Sequence, residues 1–208
     1  MKFVRKGFKR EMVVAILNGT KTQTRRTKPF GANVGDVIAV EEAWWSYGRF
    51  VDTDRLTKTG KVKRAWEQHE FMAIHYAADY PEAWRPSDPG YAGYRWRKMS
   101  SMFLPLKDSR LFLKIDRLWE ENLNDISPAD AVAEGIQRLL SSRAQIIENG
   151  GELYLNYWSD KELFMDGVKP VESYETLWES INGFGSWALN PRIFAAAFTK
   201  LAERPTIQ

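Results

Sequence analysis

The sequence predicts an α+β protein. Three observations carry this: an amphipathic helical stretch over 8–17, a strongly alternating stretch over 110–121, and a short, well-capped helix just after it. Hydrophobic residues make up 44% of the 208 positions and charged ones 27%, a mixture that folds rather than staying disordered. The chain reads as a single domain over 1–208, enlarged by two insertions at 46–70 and 137–172.

From Phe8 to Leu17, the side chains of Phe8, Met12, Ala15 and Ile16 recur at helical spacing, and Gly19 follows where a left-handed terminating residue belongs. Lys21 therefore opens an extended segment at a helix exit. Gly35 and Asp36 make a turn, and the β-rich run Val37 to Glu41 is a strand. "FMAIHYA", 71–77, is a second strand candidate. In "RLFLKIDRLWEE", 110–121, Leu111, Leu113, Ile115 and Arg117 alternate against Phe112, Lys114, Asp116 and Leu118, which is the period of a strand. In "DISPADAVAEGI", Ser127 suits the N-cap, Pro128 the first helical position, Asp130 the acidic third, and Gly135 the end. Helical patterns recur over 137–149 and 173–182, the latter with Tyr174, Leu177, Trp178 and Ile181 on one face. "NPRIFAAAFTKL" is ambiguous by pattern, because its alanines suit a helix and its Ile193, Phe194 and Phe198 a strand. Within the insertions, Thr59-Gly60 reads as a hairpin tip between basic arms, and Asn149-Gly150-Gly151 and Asp166-Gly167 read as turns.

With no cysteine and two histidines, His69 and His75, thiolate sites are excluded and a zinc site is short of ligands, so no metal and no cofactor are expected. No run approaches the roughly 20 apolar residues of a membrane span, and the start has no apolar signal core, so a cytoplasmic protein without a membrane partner is expected. The net charge of +3 says little, but its distribution is uneven. Nine basic residues between Lys2 and Lys28 face one acidic residue, Glu11, whereas Asp116 to Glu134 holds six acidic residues against Arg117 alone. The two segments can attract each other, or the basic one can meet a polyanion.

Two constellations carry chemistry. In "NGTKTQTRR", 18–26, a lysine stands near hydroxyls with cations beside it. That is the minimal pair for nucleophilic hydrolysis when burial or a neighbouring cation lowers the lysine pKa. A polar strand edge has the same pattern, and in a regular strand Lys21 and Thr24, three apart, face opposite ways. In "WRPSDPGYAGYRWRK", 84–98, Trp84 and Trp96 interleave with Arg95 and Arg97, the combination that stacks bases and neutralises phosphates. Aromatics in a structural loop look identical. Trp44, among nine tryptophans, fits a base cage or the core. Glu134 alone reads as a helix-end carboxylate, and His75 as a packed strand residue.

Taken in order, "AILNGTKTQTRR", "GDVIAVEEAW", the alternating strand with "DISPADAVAEGI", "LWESING" and "NPRIFAAAF" resemble the ASCH-domain family, in particular its phage and prophage-encoded members. The resemblance runs as separated blocks over almost the whole chain. It implies a PUA-like fold, a small, mostly antiparallel β-barrel with helices around it, and it makes 192–200 the closing strand. It also implies RNA or a modified nucleoside as partner. Small bacterial members include amidohydrolases that deacetylate N4-acetylcytidine. Carried over to this chain, the resemblance makes Lys21 the base, Thr24 the nucleophile and Glu134 the acid, with Arg26 holding the polar pocket. Arg25, Arg26, Trp44, Trp84, Arg95, Trp96 and Arg97 are the expected substrate or nucleic-acid contacts. A non-catalytic RNA or modified-base reader, or a metal-independent ribonuclease on single-stranded RNA, uses the same residues. Oligomeric state is not legible.

Overall fold

The computed structural model describes residues 1–139, 143–158 and 167–206. Its elements in chain order are β1 (Phe3–Gly7), α1 (Arg10–Leu17), β2 (Gln23–Arg26), β3 (Val37–Glu41), β4 (Trp44–Leu56), β5 (Val62–Gln68), β6 (His75–Tyr76), β7 (Arg95–Met99), β8 (Phe112–Asn122), α2 (Pro128–Ala133), α3 (Arg143–Glu148), α4 (Pro170–Asn182) and β9 (Arg192–Lys200). The fold is α+β, with antiparallel pairing throughout the described registers. The chain divides into two compact units: Met1–Lys6, Val14–Val40 and Arg110–Gln208 form the first, Gly7–Val13 and Glu41–Ser109 the second.

The first unit is built on a five-stranded sheet of order β1-β3-β8-β9-β2. Its interior strands are apolar because both faces are covered: Val37, Ile38, Leu113, Ile115 and Ile193 have no exposed surface, and each such side chain contributes about 1.5–3 kcal/mol by leaving water. The alanine-rich segment is strand, as the resemblance implied. Pairing decides it: Ala195 and Ala196 are held between β8 on one side and β2 on the other, so tertiary context overrides helix propensity. β8 and β9 change register between Ile115 and Arg117, a bulge in β8.

The expected closed barrel is not found. The sheet is an open path, with β1 and β2 as its edges among the described residues. At the β2 edge the backbone groups are taken elsewhere: Thr22 donates to the Ala133 carbonyl at 2.8 Å and Lys21 bridges to Glu134, so the end of α2 covers the place a closing strand would occupy.

α2 forms as its sequence predicts. The Ser127 hydroxyl accepts from the Asp130 amide at 3.1 Å, Pro128 stands in the first turn, and Gly135 leaves the helix at φ 82°. At the start of α4, Pro170 stands in the first turn and the Glu172 carboxylate accepts from the Lys169 amide at 3.1 Å. It packs on α2 and buries Tyr174, Leu177 and Trp178. Of the helical pattern 137–149, α3 covers Arg143–Glu148, and residues 140–142 lie outside the described residues. Asp166 of the expected Asp166-Gly167 turn lies outside them as well.

In the second unit β4 pairs with β5, β6 and β7. The β4–β5 hairpin turns at 57–61, where Gly60 adopts φ 78° and donates to the Thr57 carbonyl at 3.0 Å, as Thr59-Gly60 predicted. The strand expected over 71–77 shrinks to His75 and Tyr76. Met72 turns back to donate to the His69 carbonyl at 3.3 Å, and Phe71 is 83% exposed, so no partner strand receives the first half. Tyr47, Trp44 and Leu104 belong to this unit's core. Among the described residues no helix is long and apolar enough to cross a membrane.

Candidate functional site

The segment 21–26 leaves α1 through a tight exit. Gly19 is left-handed at φ 77°, and the amides of Thr20 and Lys21 both donate to the Ala15 carbonyl, at 2.9 and 3.1 Å. The chain then extends along the end of α2, which brings together residues 113 positions apart.

Lys21 Nζ donates to the Glu134 backbone carbonyl and to Glu134 Oε2, each at 2.7 Å. Glu134 Oε1 accepts from Arg25 Nη1 at 3.0 Å. Arg25 Nε donates to Glu121 Oε1 at 2.7 Å, and Nη2 lies 3.9 Å from Asp130 Oδ2. Gln23 joins the set by donating to Asp130 Oδ1 at 2.9 Å and accepting from Arg25 Nη1 at 3.2 Å. Trp119 backs it, with Nε1 on Glu121 Oε2 at 2.9 Å and the Arg25 guanidinium 5.7 Å above the ring. Lys21, Arg25 and Glu134 are each under 5% exposed. Such burial costs several kcal/mol per ion and is sustained only by dense pairing of this kind.

Strand register determines which side chains join. Gln23 and Arg25 pair with Ala197 and Ala195, which pair with Arg117 and Trp119 across β8. Directly paired residues share a sheet face, so Gln23, Arg25, Trp119 and Glu121 lie together. Thr24 pairs with Ala196, and Ala196 with Leu118, on the opposite face. Thr24 is 3% exposed. Among the described residues, the Lys21 Nζ hydrogen bonds go to Glu134 and not to Thr24.

Burial pushes the Lys21 amine below the usual lysine range; Glu134 works against that, and Arg26 and Arg25 add to it. For Arg25, burial opposes the charge, but Glu134, Tyr174 and Glu121 outweigh it and hold the guanidinium above its usual range. Burial lowers Arg26, against the pull of Glu134 and Tyr174. The Tyr174 phenol is raised well above its usual range by burial and by Glu134.

The structure therefore brings Lys21, Arg25 and Glu134 together. It ties Arg25 into the cluster, with no exposed side-chain surface for a substrate. Arg26 is half-buried. In the second unit, Trp44 is 3% exposed. Trp84 stacks on Tyr80 with ring centroids 3.7 Å apart and planes 8° from parallel, and Trp96 donates to the Ser87 carbonyl at 2.9 Å. Arg95 and Arg97 are exposed. Sequence reading passed over Gln23, Glu121, Asp130 and Tyr174. The available signal was the acidic stretch from Asp116 to Glu134, three of whose carboxylates, Glu121, Asp130 and Glu134, now meet Lys21 and Arg25 of the basic segment.

A cavity of about 860 Å³ lies in the first unit, lined by Phe30, Trp119 and Phe194 with Lys2, Asn33 and Arg192 around them. Its size suits a small-molecule ligand. Trp119 belongs both to this lining and to the buried cluster, whereas Lys21, Thr24 and Glu134 do not line it. Among the described residues no group of three or more His, Cys, Asp or Glu is placed to hold a metal ion.

The chain matches no family model, no curated protein and no solved structure.

Proposed function

We propose that this chain is a PUA-like protein of the ASCH type that binds RNA or a modified nucleoside, and that it removes the acetyl group from N4-acetylcytidine. The observation that carries the reading is the buried Lys21–Glu134 pair, with Nζ at 2.7 Å from Oε2 and the amine pushed below its usual range. In the reaction Thr24, which lies on the sheet face opposite Arg25, must first turn to Lys21 Nζ, which takes its hydroxyl proton while Oγ1 bonds to the acetyl carbonyl carbon. The short contact then passes a proton from Lys21 to Glu134, and Glu134 delivers it to the cytidine N4 nitrogen as the amide C–N bond breaks. Water hydrolyses the acyl-threonine to acetate and returns the hydroxyl. Arg25, bonded to Glu134 Oε1, keeps the other oxygen turned toward Lys21.

The test is acetate release from N4-acetylcytidine by the purified chain, compared with Lys21→Ala and Thr24→Ala. Turnover lost in both variants supports the mechanism. Turnover retained in Lys21→Ala, or no turnover by the unaltered chain on either the nucleoside or acetylated RNA, sinks it.

A second reading, a non-catalytic reader of RNA or modified bases, is favoured by the face Thr24 takes and by a cavity lined with aromatics rather than with Lys21. It predicts nucleoside binding that survives Thr24→Ala and weakens in Trp119→Ala.

A further inference from the structure

The sheet of the second unit presents a face that the Lys21–Glu134 cluster does not involve. Phe50 pairs with Trp66 across β4 and β5, Ser46 pairs with Arg97, and Gly48 pairs with both Gln68 and Arg95. Register thus gathers Ser46, Gly48, Phe50, Trp66, Arg95 and Arg97 on one side. The Phe50 and Trp66 rings meet edge to face at 5.2 Å and 77°. Trp66 Nε1 donates to Ser46 Oγ at 3.0 Å, and the indole lies over Gly48, where a Cβ would stand 2.8 Å from the ring. Glycine there lets the indole lie close against the sheet.

Arginines flank this pair. The Arg97 guanidinium stands 5.0 Å from the Phe50 centroid and 5.6 Å from that of Trp66, and Arg95 stands 5.6 Å from Phe50. Among the described residues, Arg64 of the same face has Asp52 at 3.0 Å, while neither Arg95 nor Arg97 has a carboxylate partner. Both are exposed, and Phe50 and Trp66 are half-buried. Trp84 and Trp96, the aromatics that the sequence singles out, are committed elsewhere. Trp96 is paired with Tyr47 on the opposite face and packs 4.9 Å from His75, and Trp84 stacks on Tyr80.

We propose that this face docks single-stranded nucleic acid, with Phe50 and Trp66 as the stacking platform and Arg95 and Arg97 as the phosphate contacts. Aromatic faces accept any unpaired base, and guanidiniums without an acidic partner supply the charge for the backbone. A duplex keeps its bases inside and offers this platform only phosphates. The proposal goes beyond the deacetylation reading and does not rest on it.

The experiment is fluorescence anisotropy of a labelled oligouridine with the full chain over a series of salt concentrations. Replacing both Arg95→Ala and Arg97→Ala is expected to weaken binding about tenfold or more. It should also lower the salt slope by about 1.4, since each single-strand phosphate that an arginine neutralises adds about 0.7 to that slope. Phe50→Leu is expected to weaken binding with the slope unchanged, and Lys58→Ala at the hairpin tip to leave both unchanged. Arg95→Lys with Arg97→Lys guards against misfolding, keeping the charge and the slope while losing affinity. The proposal is overturned if the double alanine or double lysine variant binds as tightly as the unaltered chain. It is equally overturned if Lys58→Ala weakens binding as much, or if a duplex or heparin binds as well as the oligouridine. The deacetylation reading is tested separately, by acetate release from the free nucleoside in Lys21→Ala, so failure of either proposal shows separately.

Discussion

Gly135 stands against Lys21 with no room for a side chain: a Cβ built on it would lie 2.7 Å from Lys21 Cβ and 2.9 Å from Ala15 Cβ. Its φ of 82° is left-handed as well. Gly135→Ala therefore combines backbone strain with overpacking, and the expected loss is about 2–4 kcal/mol. A fall in melting temperature of roughly 5–15 °C by circular dichroism checks it. A change within a degree or two would show that α2 can shift away from β2.

Removing the two partners of the buried pair should not cost the same. Lys21→Met leaves Glu134 bonded to Arg25, whereas Glu134→Leu strands Lys21 without a carboxylate and leaves Arg25 held by Glu121. Glu134→Leu is expected to lose about 3–5 kcal/mol, the cost of an uncompensated buried charge, and Lys21→Met distinctly less. Urea unfolding of the two variants measures the difference, and equal losses would contradict this account of Arg25.

Asp130 makes stability depend on pH at the acid end. Burial alone would raise its carboxyl, but hydrogen bonds from Ser127 and Gln23 and the charge of Arg25 outweigh that and hold it below the usual carboxylate range. A depressed carboxylate contributes stability in full above its unfolded value, about 3.9, and loses it as pH falls through the lower folded value. The advantage of the unaltered chain over Asp130→Asn should therefore be steady from pH 5 to 7 and shrink below about pH 4. An advantage that grew on acidification would refute the sign.

Gly48 tests the second unit. A Cβ there would run into the Glu67 backbone oxygen and the Trp66 indole, and a backbone atom held in a strand pair cannot step aside. Gly48→Ala is expected to cost about 1–3 kcal/mol. It should also move Trp66 off Ser46, which a changed tryptophan emission spectrum would report.

Local signals made much of the fold legible. Ser127, Pro128 and Gly135 delimited α2, alternation delimited β8, and Gly19 the end of α1, because each acts within a few residues of itself. The strand at 71–77 failed because apolar content cannot say whether a neighbouring strand is there to receive it. The segment over 192–200 needed the resemblance, since its state depends on β2 and β8 rather than on its own alanines. At the site, Lys21 and Glu134 were named together only through resemblance. Gln23 and Glu121 were missed because their partners lie about a hundred positions away, and a charged residue looks the same in sequence whether it meets solvent or a buried arginine.

The bulge between Ile115 and Arg117 gives β8 two phases. Before it, odd-numbered residues face the side of Phe198; after it, they face the side of Ala195 and Arg25. One strand therefore serves first as core and then as the wall of a charged cluster, and the switch depends on a single inserted position rather than on any particular side chain. Deleting Asp116 would leave Trp119 opposite Ala195 and Glu121 opposite Ile193; pairing Asp116 itself with Ala197, without the bulge, would turn Trp119 and Glu121 to the wrong side of the sheet.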